Sequence, residues 1–234
     1  MTDRTLRTAQ AYLAAQAKSL DHEEGEAPPG RFVTISRQAG ARAGSIAKAL
    51  AALLTERHVG RADAAWTVFD QEILHKIIEA NEFPESLVHD LEKRDVAPLE
   101  GILTDLFGVW PSAYDLLSET SKMIRHLSQL GNAIVIGRAG NIVTRQLPGG
   151  LHVRLVGSFF RRVRNLREGT DLGPHEAEKK LDGIDARRRK YLKRYFEKDI
   201  DDPLGYDLVV NTDRLSLEGC ARILADALDA KTTT

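Results

Sequence analysis

The residues most suited to chemistry form one run, Ser36-Arg37-Gln38-Ala39-Gly40-Ala41-Arg42-Ala43-Gly44-Ser45, followed by Ile46-Ala47-Lys48-Ala49-Leu50. Small residues let the backbone wrap closely around an anion, so Gly40, Ala41, Ala43 and Gly44 are candidate positions for main-chain contact. A helix starting at the end of the run adds its amino-terminal partial positive charge. Arg37 and Arg42 bring formal charge. Ser45 offers a hydroxyl to phosphates, or to a metal ion through water. The lysine of the pattern GxxxxGK[ST] is missing, and two glycines alone would also serve an ordinary strand-to-helix turn. The flanking strand and helix and the two arginines favour an anion site.

Two further positions carry candidate ligands. Asp70 ends the apolar run Trp66-Thr67-Val68-Phe69. It suits a helix N-cap, or a carboxylate facing a substrate or hydrated magnesium. Gly137-Arg138-Ala139-Gly140-Asn141 follows Ala133-Ile134-Val135-Ile136. An arginine just past a buried strand is costly without an anionic partner, and its planar fork suits phosphate, so Arg138 reads as a ligand residue. The stretches 161–167, RRVRNLR, and 185–198, DARRRKYLKRYFEK, are basic. Three readings apply to them: a solvated helix face, a lid over a transferring phosphoryl group, or a nucleic-acid surface with Tyr191, Tyr195 and Phe196 stacking on bases.

These groups require a scaffold. Phe32–Ser36, Trp66–Phe69, Ala133–Ile136, Leu151–Val156 and Asp207–Val210 are short apolar runs, and the segments between them have helical periodicity. Such alternation predicts an α/β fold with a mostly parallel five-stranded sheet covered on both faces. Ligands then bind at the carboxyl ends of the strands. Residues 1–20 form an Ala-rich N-terminal helix with Leu6, Leu13 and Leu20 seven apart. It either packs on the main domain or serves as a dimerisation arm. Residues 21–30 read as a linker, 31–230 as the domain, 83–130 as a helical insert, and about 174–200 as a lid-like region.

The formal net charge of -1 supplies no global field for polyanions or membranes. The single cysteine, Cys220, falls in the apolar pattern of a helix core and excludes an internal disulfide. No stretch is apolar enough to span a bilayer and none reads as a signal peptide, so a cytoplasmic protein is expected.

Ile35-Ser36-Arg37-Gln38, Asp70, Gly137-Arg138-Ala139, Leu151–Val156 and Asp202-Pro203 with Tyr206–Thr212 together resemble the bacterial cytidylate kinase-like family. The resemblance covers roughly residues 31–228. It implies the P-loop nucleoside monophosphate kinase fold, a three-layer sandwich with ATP and Mg2+ as cofactors. True cytidylate kinases have a loop of the approximate form G-x-x-G-x-G-K-G-T. Laid on it, Arg37 falls at the first glycine, Gly40 matches, Arg42 replaces a glycine, and Ala43 replaces the lysine. Gly44 and Ser45 match the last two positions. The kinase-like family commonly has a lysine-free loop. Gly137-Arg138 resembles the Gly-Arg that binds the acceptor nucleotide, with Ala139 where the cytosine-reading aspartate would stand. Asp185 and Arg188 match a D-x-x-R portion of the lid, implying Asp185 on ribose and Arg188 on phosphate; Leu181 replaces a further lid arginine.

The resemblance thus implies phosphoryl transfer from ATP to a nucleoside monophosphate such as CMP. Arg42, Arg138 and Arg188 would be catalytic, with Arg42 standing in for the lysine. Asp70, Arg138 and Asp185 would hold substrate. The alternatives are a nucleotide- or phosphate-binding regulator without turnover, and a nucleic-acid-binding module, against which the near-zero net charge tells.

Overall fold

The computed structural model describes residues 2–20, 30–57, 65–79 and 111–231. The expected linker, apart from Gly30, and the 83–110 part of the expected insert lie outside the described residues. Five strands, β1 (Phe32–Arg37), β2 (Thr67–Phe69), β3 (Ala133–Ile136), β4 (Gly150–Val156) and β5 (Leu208–Asn211), form one sheet in the order β2-β3-β1-β4-β5. All four neighbouring pairs are parallel. The expected architecture is therefore found, and each strand end lies within a residue of its expected place.

Alternation along the central strands divides the core. Val33, Ile35, Ile134 and Ile136 face α2 (Ala43–Arg57) and α8 (Leu217–Ala230), where Ile46, Leu50, Leu54, Cys220, Leu224 and Leu228 complete one apolar layer. Cys220 is thus a core residue. Phe32, Ala133 and Val135 face the other way, onto α1 (Thr2–Leu20), α3 (Gln71–Glu79) and α4 (Pro111–Leu130). Ala9, Tyr12 and Leu13 of α1 are buried in this second layer. The Tyr12 hydroxyl donates to the carbonyls of Gly131 and Leu127, and its ring meets Phe69 edge-on at 5.2 Å. The described part of α1 is therefore packed on the domain.

The exits from the sheet create the site. β1 leads into α2 on one face, whereas β3 leads through a tight turn into α5 (Gly140–Val143) against the other. A crevice opens between these diverging connections. It is covered by the long α7 (Pro174–Phe196), against which α6 (Phe159–Glu168) packs. Pro174 opens α7, while the Gly173 N–H donates to the Glu176 carboxylate at 3.1 Å. No described helix is long and apolar enough to cross a membrane.

Beneath the crevice, Thr34 Oγ1 and His152 Nδ1 lie 2.8 Å apart on paired strands. Burial pushes His152 from 6.5 down to about 4, with Lys231 and Arg145 pushing the same way and Asp207 opposing. The unfolded chain therefore takes up a proton that the folded chain refuses. Stability should fall as pH drops from 6.5 towards 4, by at most about 1.4 kcal/mol per pH unit from this group. Melting temperature followed across that window should fall less steeply in a His152→Gln variant. An unchanged slope would assign the sensitivity to other groups.

Candidate functional site

The loop between β1 and α2 is folded tightly on itself and on α6 and α7. Gly40 has a left-handed φ of 76°, and a Cβ there would collide with the Arg162 carbonyl oxygen, so glycine is required. The Ala39 N–H donates to Asp185 Oδ1 at 2.8 Å. Arg162 Nη1 donates to Asp185 Oδ2 at 2.6 Å and to the Ala39 carbonyl at 3.1 Å. Asn165 Nδ2 donates to the Gly40 carbonyl at 2.9 Å. Asp185 and Arg162 are both buried, so an internal carboxylate sits where the loop could meet an external anion.

The rest of the loop divides between core and solvent. Ala41 and Ala43 are buried in the α2-side core. Gly44 and Ser45 are exposed in the first turn of α2, where backbone N–H groups have no intrahelical partner. Arg42 has φ 59° and is exposed; its carbonyl accepts the Ile46 N–H at 3.0 Å. The Arg42 charge is felt at Cys220, on the α8 side, and its side chain does not line the crevice.

The crevice is a cavity of about 420 Å³ at the carboxyl ends of β1 and β3. Arg37, Arg138, Arg187 and Arg188 line it together with Asn141 and Tyr191, over apolar walls from Ile136, Ile184, Leu192 and Ile200. Gly137, Arg138 and Ala139 all have positive φ (85°, 54° and 56°), a strained turn of the kind that clusters at functional sites. This turn sets Arg138 on the cavity wall, 5.9 Å from the centre of the Tyr191 ring. Arg188 Nη1 donates to the Arg37 carbonyl at 3.1 Å and lies 3.5 Å from Asp185 Oδ1. Burial pushes the Arg37 guanidinium down to about 10, and the Arg188 and Arg138 charges push the same way against weaker pulls from Asp70 and Asp185. Arg188 is lowered too, chiefly by burial.

The structure therefore gathers Arg37, Arg138 and Arg188 and leaves Arg42 apart. Asp70 caps α3, accepting the Ile73 N–H at 3.0 Å, while remaining near enough to act on Arg37. Asp185 engages the loop rather than the open cavity. Tyr191 packs on Tyr195 and Phe196 at 5.3 and 5.9 Å, in keeping with a helix-core use of these rings. No group of three or more metal-ligating side chains occurs among the described residues.

Sequence reasoning missed Arg162 and Arg154. Arg154 is buried on β4; its Nη1 donates to Ser36 Oγ at 2.9 Å and its Nη2 to Asp201 Oδ1 at 2.5 Å. The Tyr206 hydroxyl donates to the Ile200 carbonyl at 2.9 Å and lies 3.3 Å from Ser36 Oγ. These contacts fasten the segment after α7 to the end of β1. The available signal was a charged residue inside the apolar run Leu151–Val156.

Residues 32–214 match the cytidylate kinase-like family. The chain belongs to that family. A crystal structure of an uncharacterized protein from Eubacterium ventriosum has the same fold, with a TM-score of 0.62, 13% identity, and coverage of 86% of this chain and 99% of that one. Shikimate kinase from Bacteroides thetaiotaomicron superposes with a TM-score of 0.47 at 14% identity, covering 85% of this chain and 98% of its own. APS kinase from Mycobacterium tuberculosis, in complex with AMPPNP and APS, gives 0.45 at 16% identity, covering 87% and 100%. No curated protein matches the chain.

In this member of the cytidylate kinase-like family, the Arg162–Asp185 pair should be a major local determinant of stability. Removing one partner of a buried pair costs about 3–5 kcal/mol, because the other charge is left uncompensated. Arg162→Ala and Asp185→Ala should each lose stability of this order in urea unfolding. The double variant should lose clearly less than the sum. Additive losses would show that the two side chains act independently.

Proposed function

We propose that this protein binds a nucleotide donor at the Ser36–Ser45 loop and a nucleoside monophosphate in the adjoining cavity, and that it transfers the γ-phosphoryl group of ATP between them. The convergence of Arg37, Arg138 and Arg188 on one cavity beside a strand–loop–helix connection carries the reading. A cluster of guanidiniums suits a phosphate dianion. The apolar walls suit the organic body of a phosphate ester.

A phosphate oxygen of the monophosphate would attack the γ-phosphorus as the bond to the β,γ-bridging oxygen breaks and ADP leaves. That oxygen is ionised at neutral pH, so no general base is required; positioning and charge neutralisation supply the catalysis. The exposed first turn of α2, at Gly44 and Ser45, offers N–H groups to the donor phosphates. Mg2+ carried on those phosphates would neutralise their charge, and Ser45 is the hydroxyl available at that helix end. Arg138 and Arg188 would hold the acceptor and the transferring group. Asp185 reaches a ribose only if it releases Ala39 and Arg162.

That last requirement favours a second reading. The loop N–H of Ala39 already serves Asp185, as suits a nucleotide- or phosphate-binding regulator without turnover. Titration with ATP and with CMP, AMP, GMP and UMP, with and without Mg2+, should separate the two when melting temperature and ADP formation are followed together. ADP formation that requires a monophosphate supports the kinase. Binding without turnover on any of the four sinks it and leaves the regulator. Salt-sensitive oligonucleotide binding with no response to nucleotides would favour a nucleic-acid module instead.

A further inference from the structure

We propose that Arg37, at the end of β1, is a third arginine on the phosphate dianion of the cavity, gripping it together with Arg138 and Arg188. The assignment rests on the phosphate reading of the cavity, and it holds whether or not turnover follows.

Three observations carry it. The first is placement. Arg37 lines the cavity, and its guanidinium lies against Gly137, where a Cβ would collide with Nη1. The glycine of Gly137-Arg138 thus makes room for Arg37 while the next residue contributes Arg138. Arg42 is exposed beyond the cavity lining.

The second is charge. Among the described residues, no carboxylate lies within ion-pair distance of Arg37 or Arg138. Arg188 has only Asp185, at 3.5 Å, and that carboxylate already accepts from Ala39 and Arg162. Partly buried guanidiniums without matching carboxylates are costly unless a ligand supplies the counter-charge. A phosphate dianion does so with several acceptor oxygens. Burial, together with the Arg188 and Arg138 charges, lowers Arg37 to about 10.

The third is size. At about 420 Å³ the cavity is far larger than a phosphate ion, and one side is apolar. A phosphate monoester with a planar or sugar-like body fits this division better than free phosphate. The two share the dianion chemistry, and the test must tell them apart.

Calorimetric titration of the full chain with CMP, AMP, GMP, UMP, inorganic phosphate and cytidine supplies that test. At least one monophosphate should bind tighter than both phosphate and cytidine. Arg37→Ala should weaken it tenfold or more, and Arg37→Lys should recover part of the loss. Gly137→Ala, which displaces the guanidinium without removing it, should also weaken binding, and should add little in an Arg37→Ala background. Melting curves establish that each variant is folded, and Arg37→Gln replaces Arg37→Ala if the latter is not. Less than a twofold change in Arg37→Ala, with a large loss in Arg138→Ala, overturns the role of Arg37 and leaves the kinase reading intact. Binding that depends on Arg37 without ADP formation keeps the inference and sinks the kinase. Phosphate binding as tight as that of every monophosphate overturns the ester. No binding of either ligand class overturns both.

Discussion

Asp185 lies buried on α7, and its two oxygens face donors from three parts of the chain: the Ala39 N–H of the loop, Arg162 of α6, and Arg188 one turn further along its own helix. Charge-assisted bonds of this kind are stronger than neutral ones, and burial screens them little. The contact therefore fixes more than one helix. It holds α6 and α7 against the loop, with Arg162 close enough for its backbone carbonyl to demand glycine at position 40. The small apolar cluster of Ala39, Val163, Ala177 and Leu181 fills the space behind it. A hydrophobic contact alone is non-directional, whereas a shared carboxylate fixes where these two helices meet the loop.

The same contact leaves the neighbouring cavity short of negative charge. With Asp185 committed to the loop and Arg162, Arg37 and Arg138 have no carboxylate of their own among the described residues. Charge imbalance of this sort is poor for stability and good for binding, because an arriving phosphate meets guanidiniums that are already positioned and partly desolvated. Arg154, by contrast, has its requirements met by Ser36 and Asp201. Two arginines at the ends of neighbouring strands thus differ in use: one braces the chain, and the other stands open to a ligand.

Much of this was legible in the sequence. Buried parallel strands read as continuous apolar runs, so the five strands and their parallel pairing could be taken from the runs themselves, whereas their order in the sheet could not. Arg138 was legible because a charge immediately after such a run needs an explanation. The difference between Arg37 and Arg42 was not. The two are only five residues apart, and only the backbone decides where each side chain goes: Arg37 is still on the strand, while Arg42 has turned left-handed and is exposed. Arg162 was illegible for another reason. Within RRVRNLR it looks like one solvated cation among four, and its partner, twenty-three residues away, is on a different helix.

The left-handed turn at Arg42 also bears on the missing lysine. A non-glycine residue at φ 59° costs roughly 1–2 kcal/mol. The backbone at Arg42 takes a conformation natural to glycine while carrying a side chain. At the next position Ala43 is buried in the core between α2 and the sheet. A small apolar side chain is accommodated there, and a lysine in that packing would have to leave the layer or bury its charge unpaired. The loop therefore has no interior place for a cation of its own. Positive charge for a bound phosphate would have to come from beside it, and Arg37, the last residue of the strand, lines the cavity there.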